Sequence, residues 1–358
     1  MLIVRGAVKD YDWGIVDGLV PWSAPTGAPQ AELWFGVHPG GPSPVLGEDW
    51  QETGENLGDR FDVEAIPLLV KLLAAAKPLS VQVHPRRAVA QAQYAEQQAG
   101  GPRIYSDPFE KTEMLVALTD FEAFCGWRPT EDALAILTGI EGTESACDAL
   151  RAGSIGDAIQ ALLDAATPDR IAMLPAAVEA AGLPDAQVDA YRTVVDHFPN
   201  DPGALLTPLL DVVTLAPGEA VYVPAGVPHS YIRGTGLEVM TSSDNVVRLG
   251  LTPKPVFVDH AIRALVPDLH PQVMHTVHGD LIWPIDAPFV VRVLRSGTEK
   301  ILAGSYRIVL LIEGRASVES DDVEASLRQG AAAVLGAGDP TALVHADGLV
   351  AIIQSTER

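Results

Sequence analysis

Three short stretches place side chains of catalytic type at strand spacing. In the first, Leu79 to Pro85, the order Val81-Gln82-Val83-His84 alternates apolar and polar residues. Side chains alternate between the two faces of a β-strand, so this carboxamide and imidazole share one face, framed by two valines. The stretch alone leaves open what the two groups would hold. In the second, Lys111 and Glu113 also alternate, and Glu113 leads straight into the apolar run Met114 to Leu118. A solvated carboxylate is out of place there, although a salt bridge with a neighbour at a sheet rim is the plainer reading. In the third, Gly236 to Lys254, Glu238 precedes Asp244, Asn245 and Arg248. Glu238 follows His229 by nine residues, which admits a strand, a tight turn and a return strand. Asp244-Asn245 reads as a turn, and its plainer reading is an Asx turn beside a surface cation, Arg248.

The segment Gly218 to Tyr231 carries the most specific spacing. Gly218 is followed by five residues, then Pro224-Ala225-Gly226, two more residues and His229. Gly218 turns the chain, Val221 and Val223 can face a core, and Pro-Ala-Gly makes a tight bend. His229 then opens the next strand pointing inward, with Tyr231 on its face; a histidine satisfied by a backbone carbonyl in a turn is the alternative. The spacing resembles the second motif of the cupin superfamily, a double-stranded β-helix that carries metals. A fainter copy lies near the C-terminus, where Gly330 is followed by five residues and then Gly336-Ala337-Gly338. There the position matching His229 is Thr341, so a second cupin-like barrel would have lost its ligand and be structural.

The elements that must position these residues are mainly β. Residues 1–128 are rich in Gly, Pro and Trp and contain strand-like runs such as "IPLLVKLL" and "EMLVAL". Residues 129–203 are rich in Ala and Leu and read as short helices. One is expected to be N-capped by Thr130, with Glu131 and Asp132 in its first turn, and another to stop at Pro168. From residue 204 the β texture returns in "DVVTLAPGEAVYVPAG", "VVRVLRS", "YRIVLLIEG" and "GLVAIIQ". The expected fold is a cupin-type double-stranded β-helix (jelly roll) with an α insert. Its catalytic domain is assigned to 1–128 and 204–262, the helical insert to 129–203, and a second, degenerate cupin-like β domain to 263–358.

Composition bounds the function. The chain has 358 residues and a formal net charge of -23, which argues against nucleic acid or an anionic membrane as a partner. Screening limits that bulk charge to about 8 Å, so a local cluster of cations can still rule a pocket. No run of 18 apolar residues is present, and "MLIVRGAVKDYDWG" lacks the apolar core and cleavage site of a signal peptide. With two cysteines, Cys125 and Cys147, a disulfide framework is excluded and a cytoplasmic protein with reduced thiols is expected.

Four separated motifs, "YDWG", "LSVQVHP", "KTEM" and "HSYIRGTGLEVMTSSDNVVRLGLTPK", occur in an order that resembles the type I mannose-6-phosphate isomerase (phosphomannose isomerase) family. The resemblance covers nearly the whole chain, insert included. It implies a zinc-dependent aldose–ketose isomerase with a cupin core, interconverting mannose 6-phosphate and fructose 6-phosphate, expected as a monomer acting on a small sugar phosphate. It places one zinc ion per chain on Gln82, His84, Glu113 and His229. One carboxylate and two imidazoles suit zinc, and a neutral amide leaves the site net positive, as a developing enediolate requires. The catalytic group implied is Arg248, Lys111, Glu238, Asp244 and Tyr231; the substrate and phosphate contacts are Ser80, Lys71, Lys254 and Trp13. Glu238, Asp244 and Lys111 are the candidate proton carriers, and Ser80, Lys71 and Arg248 the candidate phosphate cradle. Where the family reads Asn-His-Lys-Pro-Glu, this chain has Phe109-Glu110-Lys111-Thr112-Glu113. Strand parity turns Glu110 away from Lys111 and Glu113, which places it at the rim of the pocket and outside the chemistry.

Two other classes fit a cupin. An iron-dependent oxygenase would favour two or three histidines and open positions, which Gln82 and the cations argue against. A non-catalytic sugar-phosphate-binding cupin would be expected to lose Arg248 or the lysines, and all are present.

Overall fold

A computed structural model of the chain describes residues 1–61, 66–275, 281–321 and 323–356. Two large antiparallel sheets dominate. The first runs in the order Gln272–Met274, Ala220–Val223, Glu113–Ala117, His229–Thr241, Leu68–Ala75, Glu32–Phe35 and Ala7–Lys9. Its long strand His229–Thr241 is the hinge of the architecture. Its later half lies between Glu113–Ala117 and Leu68–Ala75, whereas its start pairs with Phe121–Trp127 on one side and Val81–Val83 on the other. Val81–Val83 pairs in turn with Val247–Gly250. One strand thus carries chain from one wall of the barrel to the other, as expected for a jelly roll.

The strand Leu68–Ala75, "LLVKLLAA", is buried at every position because both of its faces are covered. Leu73 and Ala75 face the barrel interior with Leu115, Ala117, Val221, Val223 and Tyr231. Val70, Leu72 and Ala74 face the opposite way and share a core with Ile308, Leu310, Val334 and Ile353 of the second sheet. That sheet is built mostly from residues 281–355, but it does not respect the boundary expected at 263. Leu2–Arg5 lies between Ala331–Leu335 and Pro44–Leu46, so the first strand of the chain completes a sheet formed by the last. The interior of this second unit is apolar, with Ile301, Val309, Leu335, Val344 and Ile352 among its buried residues. Thr341, in the place matching His229, accepts a hydrogen bond from Ala303 N at 3.3 Å. The adjoining turn is held by the fully buried Arg307, which donates to the carbonyls of Gly336, Asp339 and Pro340.

Six helices between Thr130 and His197 form the insert, and they pack in one core with Val81, Val83, Leu249 and Leu251, the strands beside the site. Two details differ from expectation. Thr130 is the first helical residue, with Pro129 at the cap, because the preceding proline already fixes the extended entry. Pro168 does not only stop a helix; it starts the next one, Pro168–Ala172, where Thr167 accepts from Arg170 N at 3.3 Å. A further helix, Arg87–Gln98, lies inside the region read as β. Among the described residues no helix is long and apolar enough to cross a membrane.

Candidate active site

His84, just past the end of one strand, meets Glu113 and His229, the first residues of two others. Each offers one ligand atom, and these atoms lie within 4.8 Å of one another. Glu113 opens the strand Glu113–Ala117 and His229 opens His229–Thr241, so each projects at the mouth of the sheet. His84 follows directly on Val81–Val83. The turn that delivers His229 also touches His84, for Gly226 N donates to His84 O at 2.8 Å. Gly226 has φ 103°, and a Cβ there would lie 2.6 Å from Val266 Cγ2, so the bend requires glycine.

The proton positions in this cluster follow from its partners. His84 Nδ1 lies 2.7 Å from Asn245 O, and His229 Nδ1 lies 3.2 Å from Val227 O. Carbonyl oxygens only accept, so both Nδ1 atoms carry the proton, and in the neutral rings both Nε2 lone pairs face Glu113. The gaps are 3.2 Å from His84 Nε2 to Oε1 and 3.2 Å from His229 Nε2 to Oε2. His84 Nε2 and Glu113 Oε2 are buried without a hydrogen-bond partner. Burial drives the His84 pKa down to about 4, keeping that ring neutral. Burial alone would raise the Glu113 pKa, but the Lys111 ammonium, 2.8 Å from Oε1, holds it well below the carboxylate range. Electron pairs converging in a buried pocket, two of them without a hydrogen-bond partner, are an arrangement that a cation satisfies. The group can hold a metal ion.

Gln82 stands beside it. Its Oε1 accepts from Ser80 Oγ at 3.0 Å, and its Nε2 is 3.2 Å from His229 Nε2. A half-turn of the amide exchanges the two ends, presenting Oε1 to the cluster and Nε2 to the serine. Ser80 therefore anchors Gln82 from behind.

Above the cluster opens a cavity of about 610 Å³, within the range of small-molecule sites. Lys71, Ser80, Gln82, Lys111, Glu113, Tyr231, Glu238, Asp244, Arg248, Lys254 and Trp13 all line it, and His84 and His229 lie buried against the lining residue Glu113, each at 3.2 Å. Eleven of the thirteen residues expected at the site in the sequence thus line one space. Glu238 arrives there by an unexpected route. His229–Thr241 is one continuous strand with no turn, and its parity is reset by a bulge. Glu122 pairs with Arg233 but Ala123 with Tyr231, leaving Ile232 as the extra residue. The bulge puts even-numbered Glu238 on the face of odd-numbered His229 and Tyr231.

Residues 1–130 match the family described as phosphomannose isomerase type I, catalytic domain. Relatives of nearly full length include the mannose-6-phosphate isomerase of Salmonella typhimurium, 30% identical over 93% of this chain and 94% of its own, and that of Escherichia coli, 30% identical over 96% and 97%. The chain belongs to the type I phosphomannose isomerase family. A plant member, mannose-6-phosphate isomerase 1 of Arabidopsis thaliana, is 34% identical over 71% of this chain and 68% of its own. The crystal structure of a variant of the Salmonella typhimurium phosphomannose isomerase superposes on the whole chain with a TM-score of 0.86 at 28% identity. The mainly β cupin-type architecture is therefore that of the phosphomannose isomerases.

Two side chains lie differently from expectation. Lys71, expected in a phosphate cradle, is buried between Glu238 at 2.9 Å and Glu32 at 3.3 Å. Burial would lower its pKa, but these two carboxylates raise it and fix the charge. Its ammonium also lies 5.1 Å from the centroid of Trp34, whose Nε1 donates to Glu32. Glu110, expected at the rim, lies outside this cavity. It lines a separate cleft with Arg87, Phe109 and Thr241, in the irregular chain that leads into the strand Glu113–Ala117. Glu32, Trp34, His38 and Tyr11 line the cavity but were missed by sequence reasoning. The alternation of Glu32 with Trp34 before an apolar residue was the available signal.

The carboxylates differ sharply in environment. Glu238 is buried, which raises its pKa, while Lys71 opposes the rise and Glu113 adds to it. Burial likewise lifts the Tyr231 phenol well above its usual range, with Glu238 adding to the effect. Asp244 is half-exposed to the cavity, and the hydrogen bond from His38 lowers its pKa. Among the described residues, Arg248 and Lys254 have no carboxylate within ion-pair distance. Burial lowers the pKa of both, Arg248 adds to the lowering of Lys254, and Lys254 sits 5.8 Å from the Tyr11 ring. Trp13 stacks on Tyr11 at 5.7 Å.

Proposed function

We propose that the chain interconverts D-mannose 6-phosphate and D-fructose 6-phosphate, using one zinc ion held by Gln82, His84, Glu113 and His229. The observation that carries this reading is the convergence of Nε2 and carboxylate lone pairs on the floor of a cavity of about 610 Å³. When bound, zinc supplies positive charge for the oxygens of an enediolate, typically the largest single term in such a reaction. It also turns a buried cluster of three carboxylates (Glu32, Glu113, Glu238) and two ammoniums (Lys71, Lys111) from net negative to net positive.

The rest is the work of the chain. The phosphate needs cations that are not already neutralised, which selects Arg248 and Lys254, with Ser80 as a hydroxyl donor, over Lys71. Binding there spends phosphate affinity on orienting C1 and C2 over the floor. Glu238 is engaged by Lys71, so Asp244 is the carboxylate open to the cavity, and we assign it the proton moved between C1 and C2. Lys111 and Arg248 set positive charge beside it, which favours loss of a proton next to a carbonyl. Tyr231 closes the barrel side, and Trp13 with Tyr11 forms an apolar wall for the sugar ring. We take the working unit to be a cytoplasmic monomer in which the insert 129–203 interrupts the catalytic domain 1–128 with 204–262, and the unit 263–358 is completed by the strand Leu2–Arg5.

The deciding experiment is a coupled assay of fructose 6-phosphate formation from mannose 6-phosphate, before chelation, after it, and after restoring zinc. Turnover should vanish and return. Full turnover by protein shown by elemental analysis to hold no metal would sink the zinc reading; no turnover with zinc bound would sink the activity.

A further inference from the structure

A histidine outside every motif discussed so far contacts the cavity's open carboxylate. His38 Nε2 lies 2.7 Å from Asp244 Oδ2, and the ring is only 13% exposed. The other ring nitrogen is also engaged, because Gly40 N donates to His38 Nδ1 at 3.0 Å. Nδ1 accepts an N–H and so carries no proton; Nε2 carries it and donates to Asp244. The arrangement is built rather than incidental. Gly41 N closes the turn onto His38 O at 2.9 Å, and Lys9 Nζ donates to Gly40 O. Trp34 meets the imidazole edge-on, with centroids 5.0 Å apart. A Cβ at Gly40 would stand 3.0 Å from Nδ1, a tight contact that would press on the imidazole. Asp244 is held from its other end as well, its backbone N donating to Asp107 Oδ2 at 3.0 Å.

We propose that His38 is a positioning residue for Asp244. It fixes one carboxylate oxygen through a single defined tautomer and leaves the other oxygen to the substrate. With both nitrogens spoken for, the imidazole itself does not exchange a proton with the sugar. The inference rests on the assignment of Asp244 as the proton carrier. The other charged or titratable groups around that carboxylate are Asp107, which holds its backbone N, Lys71 and Lys111 on the strand side, Arg248 and Lys254 beyond the turn, and the Tyr11 phenol across the cavity.

Two substitutions separate the roles of the nitrogens. His38→Asn keeps an acceptor near the Nδ1 position and loses the donor to Asp244. His38→Gln can place an amide N–H near the Nε2 position. In zinc-loaded enzyme, kcat of His38→Asn should fall about tenfold with KM for mannose 6-phosphate within about twofold. The acid limb of its kcat/KM profile should move to higher pH, because loss of the donor lets the Asp244 pKa rise. His38→Gln should recover most of kcat and return the limb toward the parent position. Asp244→Asn is measured alongside, with metal content and thermal stability for each protein. An active Asp244→Asn overturns the proton-carrier assignment and the inference with it. An inactive Asp244→Asn beside a His38→Asn with parental kcat and pH limb overturns the inference alone. So does equal loss in both His38 variants with an unmoved limb, which is what a merely structural role gives.

Discussion

At the scale of single residues, pairing rather than identity decides what each charge can do. Lys71 and Lys254 are both lysines on the cavity wall, but only Lys71 is clamped by two carboxylates. Removing it would strand Glu32 and Glu238 as buried, unpaired charges. Lys71→Ala is therefore expected to lose about 3–5 kcal/mol of stability, seen in urea unfolding, rather than simply weaken phosphate. A parental unfolding midpoint with a raised inhibition constant for phosphate would return Lys71 to the cradle. At the metal floor, His229→Ala should lose zinc and turnover together, since it removes one of the converging Nε2 atoms; full zinc occupancy in the folded variant would contradict the ligand set. Glu110 faces another cleft, so Glu110→Gln should keep kcat within about tenfold, roughly 1.4 kcal/mol of barrier. Arg248→Ala should lose on the order of a hundredfold or more, because a cation without a carboxylate partner leaves the cavity. Collapse of kcat in Glu110→Gln with Arg248→Ala intact would reverse these roles.

At the scale of elements, two local devices set the site. The bulge at Ile232 re-aims the second half of the strand His229–Thr241, so a single residue governs whether Glu238 meets Lys71. The bend at Gly226 serves two ligands, leading to His229 and bonding to the carbonyl of His84. With φ at 103° and Val266 2.6 Å from a would-be Cβ, Gly226→Ala should cost about 1–3 kcal/mol. It should also weaken zinc retention, measured by competition with a chelator. Unchanged retention at a lowered melting temperature would mean that the bend supports the fold but not the ligand geometry.

At the scale of the molecule, the catalytic sheet uses its two faces differently. One face carries the site, and the other packs on the second sheet through Val70, Leu72, Ala74, Ile308, Leu310 and Ile353. The strand Leu2–Arg5 ties the beginning of the chain into that second sheet, with Val4 fully buried. The two sheets should therefore unfold as one cooperative unit. Val4→Asp, which buries a charge at this seam, should lower the melting temperature of the whole protein and release zinc in the same transition, followed by circular dichroism and a zinc indicator. Two separated transitions, with zinc lost only in the later one, would make the second unit an independent domain.

The sequence by itself carried the family and most of the side chains that meet in the cavity. Alternation paired Lys111 with Glu113 and aligned Gln82 with His84, and the Gly218 to His229 spacing placed a histidine at a strand start. The run of such motifs across the chain carried the family. These signals are legible because periodicity and glycine spacing are local properties of the backbone. Tertiary structure decided what local rules cannot reach. The nine-residue spacing from His229 admitted a turn before Glu238, but one continuous strand with a bulge against Glu122 and Ala123 brings it to the same face. Lys71 looked like a free cation until Glu32, thirty-nine residues away, was brought to 3.3 Å. His38 and Asp244 lie 206 positions apart, yet their atoms are 2.7 Å apart. Partner, burial and free lone pair belong to atoms from several strands at once, and they come into being only when the barrel closes around them.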